Sequence, residues 1–288
     1  MIQTIEHGFK IDLDIKGKNR FIFDSSRPEL SIEFVKKQGY KSLIINPFYG
    51  FLADDLTCII PLKDQVEELI VGSDKISYKG LLEFSKLKTL GIPDNGKDVV
   101  ELSSFPNLEV LTCTYSNRLL GLETCQKLSG LTLTSFKSKT KNFLDFPDLG
   151  SLSELKLYKT DISSLQGIEK QDNLMCLEIY SAPKLEFINA LSKLKSINDF
   201  RVEKCKNIKD YETLAELPNL KKIILCESGE IRSLEFLKLL KSLQFISFWG
   251  TNVLDGNLTY CEGITYVGFD NKKHYSHKAE QFKKMLYK

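Results

Sequence analysis

A triplet of apolar residues, separated first by two residues and then by one, recurs eleven times along this chain. The segment LSELKLYKTDISSLQGI (152–168) contains one copy, Leu152, Leu155 and Leu157. A helix requires apolar residues three and four apart, and an isolated amphipathic strand requires strict alternation, so neither explains the spacing. The copies begin at residues 40, 66, 87, 108, 128, 152, 174, 197, 220, 243 and 264, a period of about 22 residues.

Each copy predicts a short strand whose second and third apolar residues point inward, followed by a bend and a return segment. After Leu157 the return segment supplies its own apolar residues, Ile162, Leu165 and Ile168. One unit cannot bury these faces alone, so we expect neighbouring units to stack around a shared core. The later return segments, ALSKLKS, YETLAELPN and SLEFLKLLKS, have a helical pattern, whereas the earlier, tighter units predict single turns of 3₁₀ helix.

This pattern resembles the leucine-rich repeat family over about residues 40–270, with an internalin-like unit length. The resemblance implies an α/β solenoid: a right-handed curved array of about eleven coils, with a parallel β-sheet on the concave face and short helices or 3₁₀ turns on the convex face. The family places Asn eight residues into each unit. This chain has mostly small or polar residues there, such as Thr160, Cys205, Ser228 and Thr251, which predicts a thinner hydrogen-bonded ladder.

The two ends of the chain differ from the repeats and predict caps. Alternating apolar residues from Phe9 to Ile15, a GKN turn, and then Phe21 and Phe23 predict a hairpin, and residues 28–38 predict a helix. At the other end, an apolar stripe predicts a final helix, its members being Ala279, Phe282, Met285 and Leu286. We therefore predict a cap over 1–39, repeats over 40–271 and a capping helix over 272–288.

The composition favours none of the specialised classes of protein. Apolar residues make up 42% and charged residues 27% of the chain, and the net charge is +2, so there is no global bias toward nucleic acid or membranes. The N-terminus shows no signal-peptide pattern, which predicts a cytoplasmic protein. Seven scattered cysteines without a CxxC pair predict reduced thiols and no metal site.

The sequence contains no recognisable catalytic constellation. The three histidines, His7, His274 and His277, lie near the termini, outside the repeats, and no Gly-rich phosphate loop is present. We therefore expect a protein without catalytic activity or cofactor. The basic segment at the C-terminus is interpreted as the solvated face of the capping helix rather than as a nucleic-acid site.

Alternation along the strands places the residues two, four and six into each unit on the exposed side of the sheet. We call this surface the sheet face. Its C-terminal half is rich in the aromatic and Arg side chains that dominate binding energy at protein interfaces. The predicted partner-binding residues are Tyr158, Tyr180, Trp249, Phe245, Arg201, Glu178, Glu203 and Tyr266. Over all eleven units the face has six acids and three bases, which favours a basic protein partner over nucleic acid.

The leading hypothesis is a monomeric protein-binding module that uses this concave face. A more specific hypothesis is a bacterial cytoplasmic immunity or inhibitor protein that blocks a toxin or an enzyme. The competing hypothesis is a structural scaffold that holds several weak partners. An enzyme or a nucleic-acid-binding protein ranks third.

Overall fold

The eleven apolar triplets form the eleven strands that the sequence predicts. In the computed structural model, which describes residues 1–13 and 17–285, every one of these strands begins two residues after the first apolar residue of its triplet. The chain comprises two units, residues 1–131 and 132–288. We describe each unit by itself.

In the N-terminal unit, the repeat strands pair in parallel and in register. Leu43, Leu69, Leu90 and Leu111, the second apolar residues of their triplets, are successive cross-strand partners. The strands are β1 (Ile2–Thr4), β2 (Lys10–Leu13), β3 (Asn19–Ile22), β4 (Ser42–Ile45), β5 (Glu68–Val71), β6 (Thr89–Ile92), β7 (Val100–Glu101), β8 (Val110–Thr114) and β9 (Leu119–Leu120). The main sheet has the order β1-β2-β3-β4-β5-β6-β8. A tenth strand, β10 (Gly130–Thr134), contains the division between the units.

The predicted hairpin and helix precede the repeats. Strands β2 and β3 pair antiparallel, and β3 pairs in parallel with β4. Helix α1 (Pro28–Gln38) begins with proline, whose missing N–H is not needed there, and ends at Gly39, whose φ of 71° suits glycine. Strand β1, which pairs antiparallel with β2, was not predicted. Ile15 lies outside the described residues.

In the C-terminal unit the same register continues from strand to strand. Leu155 pairs with Leu177, Leu177 with Phe200, and Phe200 with Ile223, and these side chains are fully buried. The strands are β11 (Glu154–Tyr158), β12 (Cys176–Tyr180), β13 (Asp199–Glu203), β14 (Lys222–Cys226), β15 (Glu230–Ile231), β16 (Phe245–Ser247), β17 (Asn252–Val253) and β18 (Tyr266–Gly268). Parallel pairs join β11-β12-β13-β14-β16-β18.

Helix α2 (Ala279–Met285) follows the last repeat strand. Ala279 and Phe282 are buried, and the Phe282 ring meets Phe269 edge-on at a centroid distance of 5.9 Å. Leu286 and the side chain of Met285 lie outside the described part of the chain. The boundaries proposed for the two caps, at residues 39/40 and 271/272, remain predictions.

The return segments contain 3₁₀ helices, including the three later ones for which the sequence pattern suggested ordinary helices. These three, Asn189–Lys193, Tyr211–Glu216 and Glu235–Leu239, are longer than those of most other coils. A coil of about 22 residues leaves room for only one or two turns, and the tighter i→i+3 geometry covers more length per residue. The other 3₁₀ helices of the return segments are Thr57–Leu62, Leu81–Glu83, Leu102–Ser104, Leu122–Thr124, Ile168–Lys170 and Thr259–Cys261. Two more 3₁₀ turns lie outside the return segments, Glu6–Gly8 and Pro47–Tyr49.

Two short parallel pairs, β7 with β9 and β15 with β17, accompany the return segments. Each of these strands has only two residues, so an alternating pattern of apolar residues could not have predicted them.

In the C-terminal unit of the chain, the position eight residues into the repeats forms a hydrogen-bonded ladder without asparagine. The backbone N–H of Cys205 donates to Ser228 Oγ at 3.4 Å, and the N–H of Ser228 donates to Thr251 Oγ1 at 2.8 Å. In an earlier coil, Thr160 Oγ1 donates to the Phe136 carbonyl at 2.8 Å. Hydroxyl groups therefore connect neighbouring coils where the family uses an amide. Thr251 Oγ1, for example, accepts the Ser228 N–H and donates to the Leu225 carbonyl of the same neighbouring coil.

The residue just before the ladder position adopts a left-handed conformation in six successive coils, those that begin at residues 128 to 243. In the first five of these coils its N–H donates to a carbonyl of the next coil, as when the Lys159 N–H donates to the Tyr180 carbonyl at 2.8 Å. In the sixth coil the Gly250 N–H donates instead to the Asp270 side chain. The left-handed conformation costs each residue other than glycine about 1 kcal/mol or more, because its Cβ lies too close to the backbone. The residues are Ser135, Lys159, Ser181, Lys204, Glu227 and Gly250, with φ between 48° and 69°.

Replacing Lys159 with glycine should therefore raise the free energy of unfolding by about 1 kcal/mol, because glycine relieves the strain at φ 56° and the exposed lysine side chain supports no core. Lys184→Gly is the matched control, because Lys184 is also exposed but is not left-handed. That change should destabilise the protein, since glycine only adds freedom to the unfolded chain. Urea unfolding of both variants measures the difference, and a loss of stability in Lys159→Gly would contradict the prediction.

Candidate functional site

The first group of side chains on the sheet face is a stack of two tyrosines and an arginine. Tyr158 and Tyr180 are cross-strand partners on β11 and β12, and their rings are parallel within 2° at a centroid distance of 4.5 Å. The Arg201 guanidinium, on β13, lies 4.8 Å from the centre of the Tyr180 ring and donates to Glu203 at 2.8 Å. Strand spacing of about 4.8 Å lets successive side chains stack in this way.

A network of charges holds the base of this stack. Lys156 Nζ lies 2.8 Å from Glu154 and 3.4 Å from Glu178, and the Tyr180 hydroxyl donates to Glu178. Burial alone would raise the pKa of Glu178, but the Tyr180 hydrogen bond and the Lys156 charge outweigh it and hold that pKa below its usual value. Burial and the neighbouring Glu178 carboxylate raise the pKa of Tyr180. Glu178 is therefore a carboxylate and Tyr180 a neutral donor near neutral pH.

Cys176 joins Glu154 and Glu178 in a group whose potential ligand atoms lie within 4.8 Å of one another. Burial and the nearby Asp199, Glu178 and Glu154 raise the pKa of the Cys176 thiol to about 12, so it remains protonated at neutral pH. A metal requires the thiolate. Since the Lys156 ammonium already contacts both carboxylates, the chemistry of this group fits an ion-pair network better than a metal centre. All seven cysteines are free thiols.

The second group of side chains lies on β16 and β18 and beyond the end of β16. The rings of Phe245 and Tyr266, cross-strand partners, stack within 9° at a centroid distance of 4.3 Å. A Cβ atom on Gly268 would lie 2.9 Å from the Tyr266 hydroxyl and 3.0 Å from Trp249 Nε1. The Tyr266 hydroxyl and the Trp249 indole therefore converge over the bare backbone of Gly268. We call Phe245, Tyr266 and Trp249 the aromatic platform.

Ion pairs occupy the strands between the two groups. Lys222 Nζ lies 2.9 Å from Asp199 and 5.9 Å from the centre of the Phe245 ring. Arg201 is paired with Glu203 at 2.8 Å. In the C-terminal unit the sheet face has five acids and three bases, and all three bases are in ion pairs. The sixth acid predicted for the face, Glu68, belongs to the N-terminal unit and is only 3% exposed.

All eight predicted partner-binding residues lie on the sheet face, but they differ in exposure. Only Trp249, at 44%, and Tyr266, at 39%, are exposed, whereas the other six are half-buried. Side chains on strands about 4.8 Å apart cover one another, so a position that faces solvent in the strand pattern need not be open. The residues form two groups with ion pairs between them, rather than one continuous aromatic column.

Solved structures of other proteins have a similar fold. The functional domain of InlJ from Listeria monocytogenes matches with a TM-score of 0.53 and 13% identity over 80% of this chain and 61% of that chain. The mouse RP105/MD-1 complex matches with a TM-score of 0.51 and 18% identity over 73% of this chain and 38% of that chain. Internalin C2 of Listeria monocytogenes matches with a TM-score of 0.44 and 21% identity over 59% of this chain and 74% of that chain.

This chain has the leucine-rich repeat fold. The register of its strands and the InlJ and RP105 structures agree on this point. No protein-family model matches the sequence, and no curated protein sequence matches it either. The identities are low, so the similarity concerns the fold alone. Among the described residues, no helix is both long and apolar enough to span a bilayer.

The leucine-rich repeat geometry identifies three further residues that sequence reasoning did not include in the site. Gly268 takes the sheet-face position that in earlier coils belongs to larger residues such as Lys156, Glu178 and Arg201. Asp270 accepts the Gly250 N–H at 2.6 Å, and the side chain of Glu227 lies next to Gly250. A glycine two residues after the exposed Tyr266 strand position, in line with Lys156, Glu178 and Arg201 of earlier coils, was the signal in the sequence that could have revealed this place.

Proposed function

We propose that this leucine-rich repeat protein binds another protein through the sheet face of its C-terminal unit. The observation that carries the proposal is the exposure of Trp249 and Tyr266 on a parallel sheet whose other side chains are held by stacking and ion pairs. Large aromatic side chains that are rigid before binding lose little entropy when a partner covers them. Exposed aromatic clusters of this kind are typical of interaction sites.

The more specific proposal is a bacterial cytoplasmic inhibitor or immunity protein, acting as a monomer without a cofactor, catalytic activity, or affinity for nucleic acid or membranes. A single face with a preformed aromatic platform favours one tight partner. The mouse RP105 structure, solved as a complex with MD-1, is an example of the fold in a protein complex. The alternative is a scaffold with several weak partners, for which each of the two units has outward sheet positions of its own.

The stoichiometry and lifetime of complexes captured from the source cell distinguish these two functions. The immobilised protein should retain one partner through extended washing, and light scattering of the eluted complex should give a one-to-one mass. A scaffold would instead release several proteins within the wash, because weak interactions dissociate quickly. Retention of the same proteins by a Trp249→Ala variant would contradict the proposed site.

A further inference from the structure

Two aromatic rings on the sheet face already have a cation from the chain itself. Arg201 lies over Tyr180 at 4.8 Å, and Lys222 lies 5.9 Å from the Phe245 centroid. Within the described residues, no cation lies over the two most exposed rings of the sheet face, Trp249 and Tyr266. Indole and phenol faces attract cations, and indole is the strongest of the aromatic side chains in this respect. The outer end of the aromatic platform therefore has an unused capacity for a positive charge.

Two carboxylates flank this end of the platform. Asp270 Oδ2 accepts the N–H of Gly250, the residue after Trp249, and the side chain of Glu227 lies next to Gly250. Both acids are exposed, and no ion pair involves either of them in the part of the chain that the structure describes. The three bases of the face are paired with other acids. The unpaired negative charge of this face thus lies beside its most exposed rings.

We propose that Trp249, Tyr266 and Asp270 form a subsite for one cationic side chain, Lys or Arg, of the protein partner, with Glu227 adding to the negative potential. The inference rests on the proposed function, because it names the chemistry that the sheet face recognises. Cation–π attraction and a nearby carboxylate act on the same group, and together they favour a positive side chain over a neutral one of the same shape. A carboxylate on the partner would be repelled.

Gly268 is a positioning residue for this subsite. A methyl group there would lie within 3.0 Å of both the Tyr266 hydroxyl and Trp249 Nε1, so it would separate the two rings without removing either. Gly91 is the matched control. It has the same position in its repeat but belongs to the N-terminal unit, and a methyl group there would lie 2.8 Å from the end of the Ile70 side chain.

The chain has a single tryptophan, so its intrinsic fluorescence reports on this subsite directly. The experiment is a titration with N-acetylarginine amide, and with N-acetylcitrulline amide as an uncharged probe of the same shape, at constant ionic strength. We expect a saturable change with the arginine probe, with a dissociation constant on the order of 10 mM, and no saturation with the citrulline probe. Gly268→Ala should weaken the arginine response at least about threefold, whereas Gly91→Ala should leave it unchanged.

Asp270→Asn tests the electrostatic part, because asparagine can still accept the Gly250 hydrogen bond while the charge is lost. It should weaken the response to the arginine probe at least about threefold. Equal responses to the two probes, or no response to arginine amide up to about 100 mM, would overturn the cationic subsite. If either result occurs while Trp249→Ala still abolishes capture of the partner, the proposed function stands and only the cationic subsite fails. If capture does not depend on Trp249, the proposed function itself fails.

Discussion

Replacing Trp249 with alanine should weaken binding of the protein partner about 30-fold, equivalent to about 2 kcal/mol. The indole is 44% exposed on the sheet face, and it would be covered when a partner binds. Its neighbours, the Tyr266 ring and the Gly268 backbone, hold it in place before binding, so little conformational entropy is lost. Calorimetric titration with the isolated partner measures the change.

The stability of the Trp249→Ala variant should remain within about 0.5 kcal/mol of the wild type, because the ring supports no buried core. Tyr180→Ala is a less clean test of the face. Tyr180 is half-buried, stacks on Tyr158 and donates to Glu178, so its removal also disturbs the neighbouring charges. A comparison of unfolding curves separates the two effects.

The control for this prediction is a pair of charge reversals on the return side of the C-terminal unit, Lys193→Glu and Lys241→Glu. Both lysines are exposed, and they lie on or beside the 3₁₀ helices rather than on the sheet face. Partner affinity should change by less than about threefold. If this pair abolished binding and Trp249→Ala did not, the interaction surface would be on the return side.

Replacing Arg20 with methionine should lower the free energy of unfolding by about 2 kcal/mol at neutral pH. Arg20 Nε donates to Glu68 Oε1 at 2.8 Å, and Glu68 is 97% buried in the N-terminal unit, where Lys18 and Ser42 are its other partners. The variant leaves a buried carboxylate with one fewer donor, and a buried charge without full compensation is costly. Urea unfolding followed by circular dichroism gives the difference.

The double variant Arg20→Met/Glu68→Gln should recover about half of that loss, because the buried charge is then removed together with its partner. Arg118→Met is the matched control. Arg118 is also half-buried, but none of the ion pairs of the described chain involves it, so the cost should stay below about 0.5 kcal/mol. A loss in Arg118→Met equal to that in Arg20→Met would indicate a general effect of removing an arginine stem.

The acid sensitivity of Arg20→Met should also change in a defined direction. Burial alone would raise the pKa of Glu68, but hydrogen bonds from Lys18, Arg20 and Ser42 hold that pKa below its ordinary value of 4.5. A lowered folded-state pKa means that the ionised form stabilises the fold above pH 4.5 and that this stability is lost as the pH falls through the lower value. Without Arg20 the pKa of Glu68 rises, so less of the stability depends on ionisation. Between neutral pH and pH 4 the variant should therefore lose less additional stability than the wild type.

The repeat spacing by itself determined the strands and their register. Leu155, Leu177 and Ile223 are inward residues at matching positions of their units, and the structure places all of them in the shared core. The physical reason is that a strand has a side-chain period of two, so a register shift by one residue would expose every buried leucine. The same logic placed Trp249 and Tyr266 on the opposite side of the sheet.

The tertiary structure alone decided which of these outward residues are open and which groups they meet. Arg20 and Glu68 are 48 residues apart and meet only because β3, β4 and β5 are neighbours. Likewise, Tyr180 is half-buried by Tyr158 and Arg201, whereas Trp249 stays exposed over Gly268. Spacing along the chain fixes the direction of a side chain, but its burial depends on the size, charge and rotamer of side chains one coil away. Those contacts form only when the coils stack.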